Sequence, residues 1–265
     1  MDWEKELYNE GEKPLQNLVG AYSHTSIFRT MAFVGDSLSS GEFEYVDKDG
    51  VTRYPDFFEY SWGQFIARKN GLKAYNFSRG GMSTKWFLDS FANEKGYWDK
   101  DLACQAYVIA LGCNDLRDDK FPFGSFETDV DFNDWHNNNF DTYLGCYATI
   151  ISRYKEVSPN AKFFLVTFPN SEQDREGRTE AMVNAMYTFA ENFSNTYVID
   201  LYHYGPVYNE KFRKHFYLRG HLNPAGYLLT AKLVDSYIDY IIRHNPEEFK
   251  SVGFINSGID YDFSK

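Results

Sequence analysis

Met31-Ala32-Phe33-Val34-Gly35-Asp36-Ser37-Leu38-Ser39-Ser40 is the stretch of sequence on which the predicted fold depends. Its four leading apolar residues predict a short buried strand that ends at Gly35. Glycine allows a sharp turn there, so that Ser37 projects from the edge of a sheet, where open α/β folds bind their ligands. A serine in this position is either the N-cap of a helix or a nucleophile.

Strand and helix patterns alternate along the rest of the chain. Further strands are predicted over residues 72–77, 106–111, 162–168 and 196–200, and helices over residues 84–92, 140–157, 179–193 and 224–243. Trp62, Phe65 and Ile66 have the spacing of one helical face, and Gly71 is expected to end that helix. Asp49-Gly50 is expected to form a turn. This alternation predicts a five-stranded parallel sheet covered by helices on both faces, in a three-layer α/β domain. Residues 1–29 lack clear periodicity and are predicted to wrap over one domain formed by residues 30–265.

The composition is that of an ordinary globular protein of 265 residues, with 43% hydrophobic and 25% charged residues. The aromatic content of 19% predicts an aromatic core, or alternatively stacking walls for a sugar or another flat substrate. The net charge of −11 argues against a nucleic-acid partner and against an anionic membrane surface.

The cysteines and the chain start predict a cytoplasmic protein. Cys104, Cys113 and Cys146 are odd in number and lack metal-type spacing, so they are predicted to be reduced thiols. No metal or cofactor is therefore expected. Residues 1–6 lack the apolar core of a signal peptide, and no apolar run approaches the ~20 residues that cross a bilayer.

Four loops carry residues that suit acyl transfer, and the predicted topology brings them to one edge of the sheet. The reaction needs a nucleophile, a base that takes its proton and donors for the developing oxyanion. Ser37 is the candidate nucleophile and His221 the candidate base. The backbone N–H groups of Ser37 and Gly81 and the side-chain amide of Asn114 are the candidate donors.

The ordered blocks resemble those of the SGNH (GDSL-type) hydrolases. They are Gly35-Asp36-Ser37-Leu38, Asn76-x-Ser78-x-x-Gly81, Gly112-x-Asn114-Asp115 and His221-x-Asn223-Pro224-x-Gly226-Tyr227. The resemblance implies a flavodoxin-like α/β/α sandwich and hydrolysis of acyl or acetyl esters on lipids or carbohydrates. By motif position it implies the roles given above for Ser37, Gly81, Asn114 and His221. Gly81 fits the family's usual interval after Asn76, and Gly80 is the alternative.

The sequence departs from this family at Leu218, where the usual Asp-x-x-His block has its acid. In serine proteases, loss of the corresponding acid lowers kcat by about 10⁴. A backbone carbonyl near Leu218 is the favoured substitute and would leave a Ser–His dyad. The alternatives are a carboxylate from elsewhere, with Asp200, Glu210, Asp118 and Asp119 as candidates, or a loss of catalysis.

Each site residue also has a purely structural explanation. Ser37 could cap a helix, Gly81 could occupy a turn that requires positive φ, and Asn114 could form an Asx-turn. His221 could be a histidine with satisfied hydrogen bonds near a helix start. Asp115 is expected to support its loop, and Asp200 could bond loop amides.

The sequence thus predicts a serine esterase or deacylase that acts through an acyl-Ser37 intermediate on short-chain, chiefly acetyl, esters. The alternative is a catalytically impaired protein that binds a small acylated or sugar ligand. The insertion over residues 116–139 is expected to border the site with its aromatic residues (Phe121, Phe123, Phe126 and Trp135) and with His136, and Trp86 is expected to contribute from beyond Gly81. A Gly-x-Ser-x-Gly elbow and a Gly-x-Gly-x-x-Gly loop are both absent.

Overall fold

The computed structural model describes residues 10–118, 120–171 and 177–264. Its strands are β1 (Thr30–Gly35), β2 (Tyr45–Val46), β3 (Thr52–Arg53), β4 (Lys73–Ser78), β5 (Ala106–Ala110), β6 (Lys162–Val166), β7 (Thr196–Ile199), β8 (Tyr217–Leu218) and β9 (His221–Leu222). Five of them form one sheet in the order β4-β1-β5-β6-β7, with every pairing parallel. The predicted five-stranded parallel sheet is confirmed.

Helices cover both faces of this sheet. They are α1 (Ser37–Ser40), α2 (Trp62–Asn70), α3 (Thr84–Trp86), α4 (Ala92–Glu94), α5 (Cys113–Arg117), α6 (Phe126–Asp129), α7 (Tyr143–Val157), α8 (Arg178–Asn192), α9 (Leu201–Tyr204), α10 (Glu210–Phe216), α11 (Pro224–His244) and α12 (Pro246–Phe249). A π-helical stretch over Phe87–Phe91 joins α3 to α4. As predicted, α2 ends at Gly71, which has a φ of 65°.

Side chains of β1 alternate between two cores, because successive residues of a strand point to opposite faces. Ala32 and Val34 belong to the core under α7 and α8, whereas Met31 and Phe33 belong to the core under α2 and α11. All four are fully buried. A sheet buried on both faces explains why its strands are continuous apolar runs in the sequence.

Aromatic rings fill both cores. Tyr107, Tyr154 and Phe163 are fully buried. Tyr107 is the middle ring of the stack, with its centroid 4.4 Å from that of Tyr154 and 5.3 Å from that of Phe163. The insertion also supplies its aromatic residues to the core, since Phe121, Phe123 and Phe126 pack against the cluster under α7 and α8. The insertion borders the candidate site as expected, but through Leu116 and Arg117, and these three rings are not among the described residues that line its cavity. Sequence spacing does not distinguish a core-facing ring from one that faces a cavity.

Residues 12–24 lie against α11. Glu12 pairs with Arg243 at 2.8 Å, His24 Nδ1 lies 2.8 Å from Asp239, and the Ser23 hydroxyl donates to Asp235 at 3.0 Å. Residues 1–9 of the predicted wrapping segment lie outside the described residues. In the part of the chain that the structure describes, no helix is long and apolar enough to cross a bilayer.

Two short antiparallel hairpins complete the edge at which the parallel strands end. One joins β2 to β3 and the other joins β8 to β9. The first contains the predicted turn, with Gly50 at a φ of 78°. The second carries His221 directly before α11.

Candidate functional site

Ser37 is the first residue of α1 and lies directly beyond the end of β1. The cap of that helix is Asp36, whose Oδ1 accepts the Leu38 N–H at 3.0 Å. Ser37 is therefore not the N-cap, and in the described part of the chain its hydroxyl makes no hydrogen bond. Gly35 is required by close packing, because a Cβ there would lie 2.3 Å from Ser39 Oγ.

Asp36 is a fully enclosed carboxyl beside Ser37. Burial raises its pKa to about 6, although the Leu38 N–H and the positive charge of Arg117 act in the opposite direction. The capping residue thus gains a proton more easily than an exposed aspartate does.

A cavity of about 230 Å³ opens at the carboxyl edge of the sheet. Ser37, Asn114 and His221 line it together, although they come from three separate parts of the chain. Apolar and aromatic walls are added by residues that follow the later strands and by the hairpin region: Val166, Phe168, Leu201, Tyr208 and Tyr217. Of the predicted site residues, the structure therefore brings three to one cavity.

Asn114 lies in α5, just after β5. Its Nδ2 donates one hydrogen bond to the Met82 carbonyl at 2.9 Å, so the side chain bridges two loops and does not form an Asx-turn. An amide nitrogen carries two hydrogens, so one N–H is left for a ligand. The neighbouring Asp115 supports its loop as expected, because it accepts from both the N–H and the hydroxyl of Thr84.

Gly81 is not among the described residues that line the cavity. It occupies the turn after β4 with a φ of 73°, so the requirement for glycine is at least conformational. Gly80 is constrained differently, because a Cβ there would lie 2.0 Å from the carboxylate of Glu42. The loop after β4 therefore packs against Glu42.

His221 lies opposite Leu218 in the β8–β9 hairpin. The turn between them places Arg219 at a φ of 60°, which is unfavourable for a non-glycine residue. Glu44 holds this turn: it accepts from Gly220 N–H at 2.9 Å and from Arg219 Nε at 3.2 Å. A carboxylate from the segment after α1 thus fixes the turn that carries the histidine.

Both ring nitrogens of His221 face carboxylates. Nε2 lies 3.0 Å from Glu42 Oε1, and Nδ1 lies 3.4 Å from Glu44 Oε2. Burial alone would lower the pKa of His221, but the contacts with Glu42 and Glu44 outweigh it and raise that pKa above its usual value. In this arrangement Nε2 is directed at Glu42 and not at Ser37.

The expected substitutes for the missing acid do not contact His221 in the described residues. The favoured backbone carbonyl near Leu218 is not at Nδ1, which faces Glu44 instead. Asp200 pairs with His203 Nδ1 at 2.7 Å and with the Tyr187 hydroxyl. Asp118 accepts from Lys120 N–H, and Glu210 begins α10 on the surface. Asp119 lies outside the described residues.

Sequence reasoning missed Glu42 and Glu44. In an extended segment, residues two apart share a face, and the intervening Phe43 packs the other way, 5.7 Å from the Tyr227 ring. The Glu-Phe-Glu alternation after the Gly-Asp-Ser block was the available signal. The partner, however, lies 177 positions away from Glu44.

Aromatic side chains border the site on its solvent side, although they are not those of the insertion. The Tyr54 ring lies 5.9 Å from that of His221 and is 54% exposed. As expected, Trp86 lies near Gly81, 3.8 Å from the position of a Cβ there, and it is 41% exposed. Trp135 instead donates to Glu156 on α7, and His136 pairs with Asp134.

No group of three His, Cys, Asp or Glu side chains is placed to hold a metal ion within residues 10–118, 120–171 and 177–264. The candidate catalytic groups are the Ser37 hydroxyl, the Asn114 amide and the His221 imidazole, with two carboxylates facing that imidazole. Asp36, Arg117 and Arg213 also line the cavity.

Comparisons with known proteins agree with this architecture. The model of the GDSL-like lipase/acylhydrolase family matches residues 33–229. No curated protein matches the chain.

Solved structures share the fold at low identity. A family two carbohydrate esterase from Clostridium thermocellum, in complex with cellohexaose, is similar at a TM-score of 0.57 and 16% identity, over 89% of this chain and 66% of that one. A carbohydrate esterase family 2 enzyme from Corynascus thermopiles has a TM-score of 0.55 and 15% identity, over 84% of this chain and 67% of that one. A possible lipase from Chitinophaga pinensis has a TM-score of 0.52 and 18% identity, over 82% of this chain and 98% of that one.

Proposed function

Because the chain belongs to the GDSL-like lipase/acylhydrolase family and is a carboxylic ester hydrolase, we propose that it cleaves short-chain acyl esters through a covalent acyl-Ser37 intermediate. The observation that carries this proposal is the convergence of Ser37, Asn114 and His221 on one cavity. The Ser37 hydroxyl has no structural hydrogen bond in the described residues, because Asp36 already caps the helix.

In the proposed reaction, Ser37 Oγ attacks the ester carbonyl while His221 Nε2 takes the hydroxyl proton. The Ser37 N–H and the remaining N–H of Asn114 stabilise the oxyanion, and the Gly81 N–H is proposed as a third donor from its motif position alone. Collapse of the tetrahedral intermediate breaks the bond to the alcohol, which leaves with the proton from Nε2. Water, activated by the same nitrogen, then releases the acid and restores Ser37.

We propose that Glu44 is the positioning residue that replaces the acid absent at Leu218. Its Oε2 lies 3.4 Å from Nδ1 and is itself held by Gly220 N–H. A carboxylate at Nδ1 fixes the tautomer and stabilises the imidazolium that forms during attack. Because Nε2 lies 3.0 Å from Glu42 in this structure, it must leave that carboxylate to receive the proton of Ser37.

The proposed substrate is an acetylated carbohydrate. A cavity of about 230 Å³ is smaller than the roughly 300–1,000 Å³ of pockets that enclose drug-sized ligands, which favours a short acyl group. The exposed ring of Tyr54 lies beside His221, and a flat exposed ring suits stacking against a sugar. The carbohydrate esterases among the similar folds agree with this proposal.

A series of p-nitrophenyl esters from acetate to decanoate tests the function, with acetylated xylan and acetylated cellobiose as sugar substrates. We expect acetate to give the highest kcat/KM and Ser37→Ala to abolish turnover, while the exposed control Ser257→Ala keeps it. Fastest turnover of the decanoate would contradict the short-acyl proposal. Absence of turnover, together with no labelling of Ser37 by a fluorophosphonate, would contradict the serine mechanism.

One observation favours a second candidate, a binding protein without turnover. His221 Nε2 faces Glu42 and not Ser37. In this arrangement the imidazole nitrogen is not placed to take the proton of the Ser37 hydroxyl. Binding of the intact acetylated sugar, without hydrolysis, would support this candidate. A cytoplasmic location and the absence of nucleic-acid partners stay predictions.

A further inference from the structure

Two arginine side chains, Arg117 and Arg213, line the same cavity as Ser37 and His221. Arg117 ends α5, three positions after Asn114, and Arg213 lies in α10. Each guanidinium has five N–H donors. Within residues 10–118, 120–171 and 177–264, neither guanidinium takes part in a salt bridge or a side-chain hydrogen bond.

Several other arginines of this acidic chain have carboxylate partners, whereas Arg79 and Arg153 lie over aromatic rings. Arg53 pairs with Asp47 at 2.8 Å, Arg219 with Glu44 at 3.2 Å and Arg243 with both Glu12 and Asp239. The chain has 38 acidic residues against 27 basic ones, so carboxylates are abundant. Arg117 and Arg213 are both exposed at the cavity and have no carboxylate partner among the described residues, so their guanidinium groups are available to an anionic ligand.

The two positive charges act on the same wall of the cavity. The Arg213 guanidinium lies over the Tyr217 ring, 4.8 Å from its centroid, and this cation–π contact orients it. Burial raises the pKa of Tyr217, and the charges of Arg213 and Arg117 both oppose that shift. Among the described lining residues, Asp36 is the one carboxylate, and it is occupied by the Leu38 N–H.

We propose that Arg117 and Arg213 bind an anionic group on the alcohol part of the substrate, which makes the natural ester one of a carboxylate- or phosphate-bearing sugar. This inference rests on the proposed function, because a short acyl group such as acetyl has no position for a charge. Guanidinium donors match the planar fork of a carboxylate and the oxygens of a phosphate. The anion would hold the alcohol while its ester carbonyl faces Ser37.

Three acetate esters of matched shape test this inference: neutral 4-acetoxybenzamide, 4-acetoxybenzoate and 4-acetoxyphenyl phosphate. Each kcat/KM is divided by the rate of hydroxide hydrolysis of the same ester, which removes differences in intrinsic reactivity. We expect at least one anionic ester to exceed the amide by about tenfold or more. The anionic ester whose corrected kcat/KM exceeds that of the amide by the larger factor shows whether the site prefers a carboxylate or a phosphate.

Variants assign that preference to the two residues. Arg117→Gln and Arg213→Gln should each remove most of the preference while turnover of the neutral amide is kept, and the matched control Arg68→Gln on α2 should retain it. Rising salt should lower kcat/KM of the wild-type protein for the anionic ester and not for the amide, because salt screens the attraction. This measurement requires no variant to fold.

Equal corrected kcat/KM for all three esters would overturn the inference and leave the esterase function standing. An anionic preference that survives both substitutions would overturn it as well. If none of the esters is cleaved and a fluorophosphonate does not label Ser37, the proposed function itself has failed.

Discussion

Nδ1 of His221 lies 3.4 Å from Oε2 of Glu44, a residue of the segment that follows the helix carrying Ser37. The same carboxylate accepts from Gly220 N–H and Arg219 Nε in the turn before the histidine. Glu44 therefore contacts both the ring and the hairpin that presents it.

The substitution Glu44→Gln is expected to lower kcat by roughly 10²-fold with little change in KM. This is a smaller loss than the about 10⁴ seen when a directly bonded aspartate is removed, because the contact here is long. The acid limb of the pH profile should also move to lower pH, since the charge that raises the pKa of His221 is gone. Glu59→Gln, at an exposed glutamate, is the control. A loss of stability without any change in the pH profile would mean that Glu44 merely supports the turn.

Glu42→Gln is expected to shift the acid limb of the pH profile in the same direction as Glu44→Gln, but to raise the rate at mildly acidic pH. His221 acts as a base when it is neutral, so kcat/KM should rise as pH increases through its raised pKa. Removing the Glu42 charge lowers that pKa and releases Nε2 for Ser37. Activity should therefore increase at mildly acidic pH, measured as kcat/KM for p-nitrophenyl acetate. An unchanged acid limb would contradict the contact between Glu42 and His221.

The Asp36 carboxyl is expected to make wild-type stability fall with rising pH relative to Asp36→Asn. The pKa of Asp36 in the folded protein is about 6, above its usual 3.8, so folding favours the protonated form. The free energy of unfolding therefore decreases as pH rises from about 4 to about 6 and does not change further above pH 6. The size of the pKa shift corresponds to a decrease of about 3 kcal/mol in total. Asparagine retains the N-cap.

Urea unfolding of both proteins across this pH range measures the difference. Asp49→Asn, in the exposed β2–β3 turn, is the control and should show no such trend. A wild-type stability that rises with pH relative to Asp36→Asn would have the wrong sign for a buried carboxyl.

The hydroxyl of Tyr154 is buried without a hydrogen-bond partner among the described residues. Tyr154→Phe keeps the ring in its stack and is expected to raise the free energy of unfolding by about 1 kcal/mol, because it removes an uncompensated polar group. Tyr227→Phe is the contrasting variant, since that hydroxyl donates to the Glu42 carbonyl at 2.6 Å. It should destabilise the protein by about 1 kcal/mol. Equal changes in the free energy of unfolding for Tyr154→Phe and Tyr227→Phe would argue against one hydroxyl being hydrogen-bonded and the other not.

The parallel sheet and its large helices could be predicted because their residues follow regular periods. Strands buried on both faces give continuous apolar runs such as Ala106–Ala110. In the amphipathic helices between them, apolar residues recur every three to four positions. The ends of those strands then place Ser37, Asn114 and His221 at one edge. Topology alone was enough to bring these three together.

The partner of His221 could not be predicted, because it depends on two very short hairpins. Strands of two residues, such as Tyr217–Leu218, have no periodicity to detect. The contact of Glu44 with His221 also depends on an unfavourable backbone conformation at Arg219, which local propensity argues against. The insertion was misjudged for a related reason, since Phe121 and Phe126 carry no sign of which way their rings face.

The distance in sequence between Glu44 and His221 also sets an order of events during synthesis. The segment with Ser37, Glu42 and Glu44 leaves the ribosome early, and the hairpin with His221 follows 177 residues after Glu44, or roughly 10 to 35 s later at ordinary rates of elongation. During that interval the sheet can begin to form while both glutamates remain in water, without the histidine that they will face. The nucleophile is thus made long before its base, and a nascent chain that ends before residue 217 carries no part of the hairpin that would activate it.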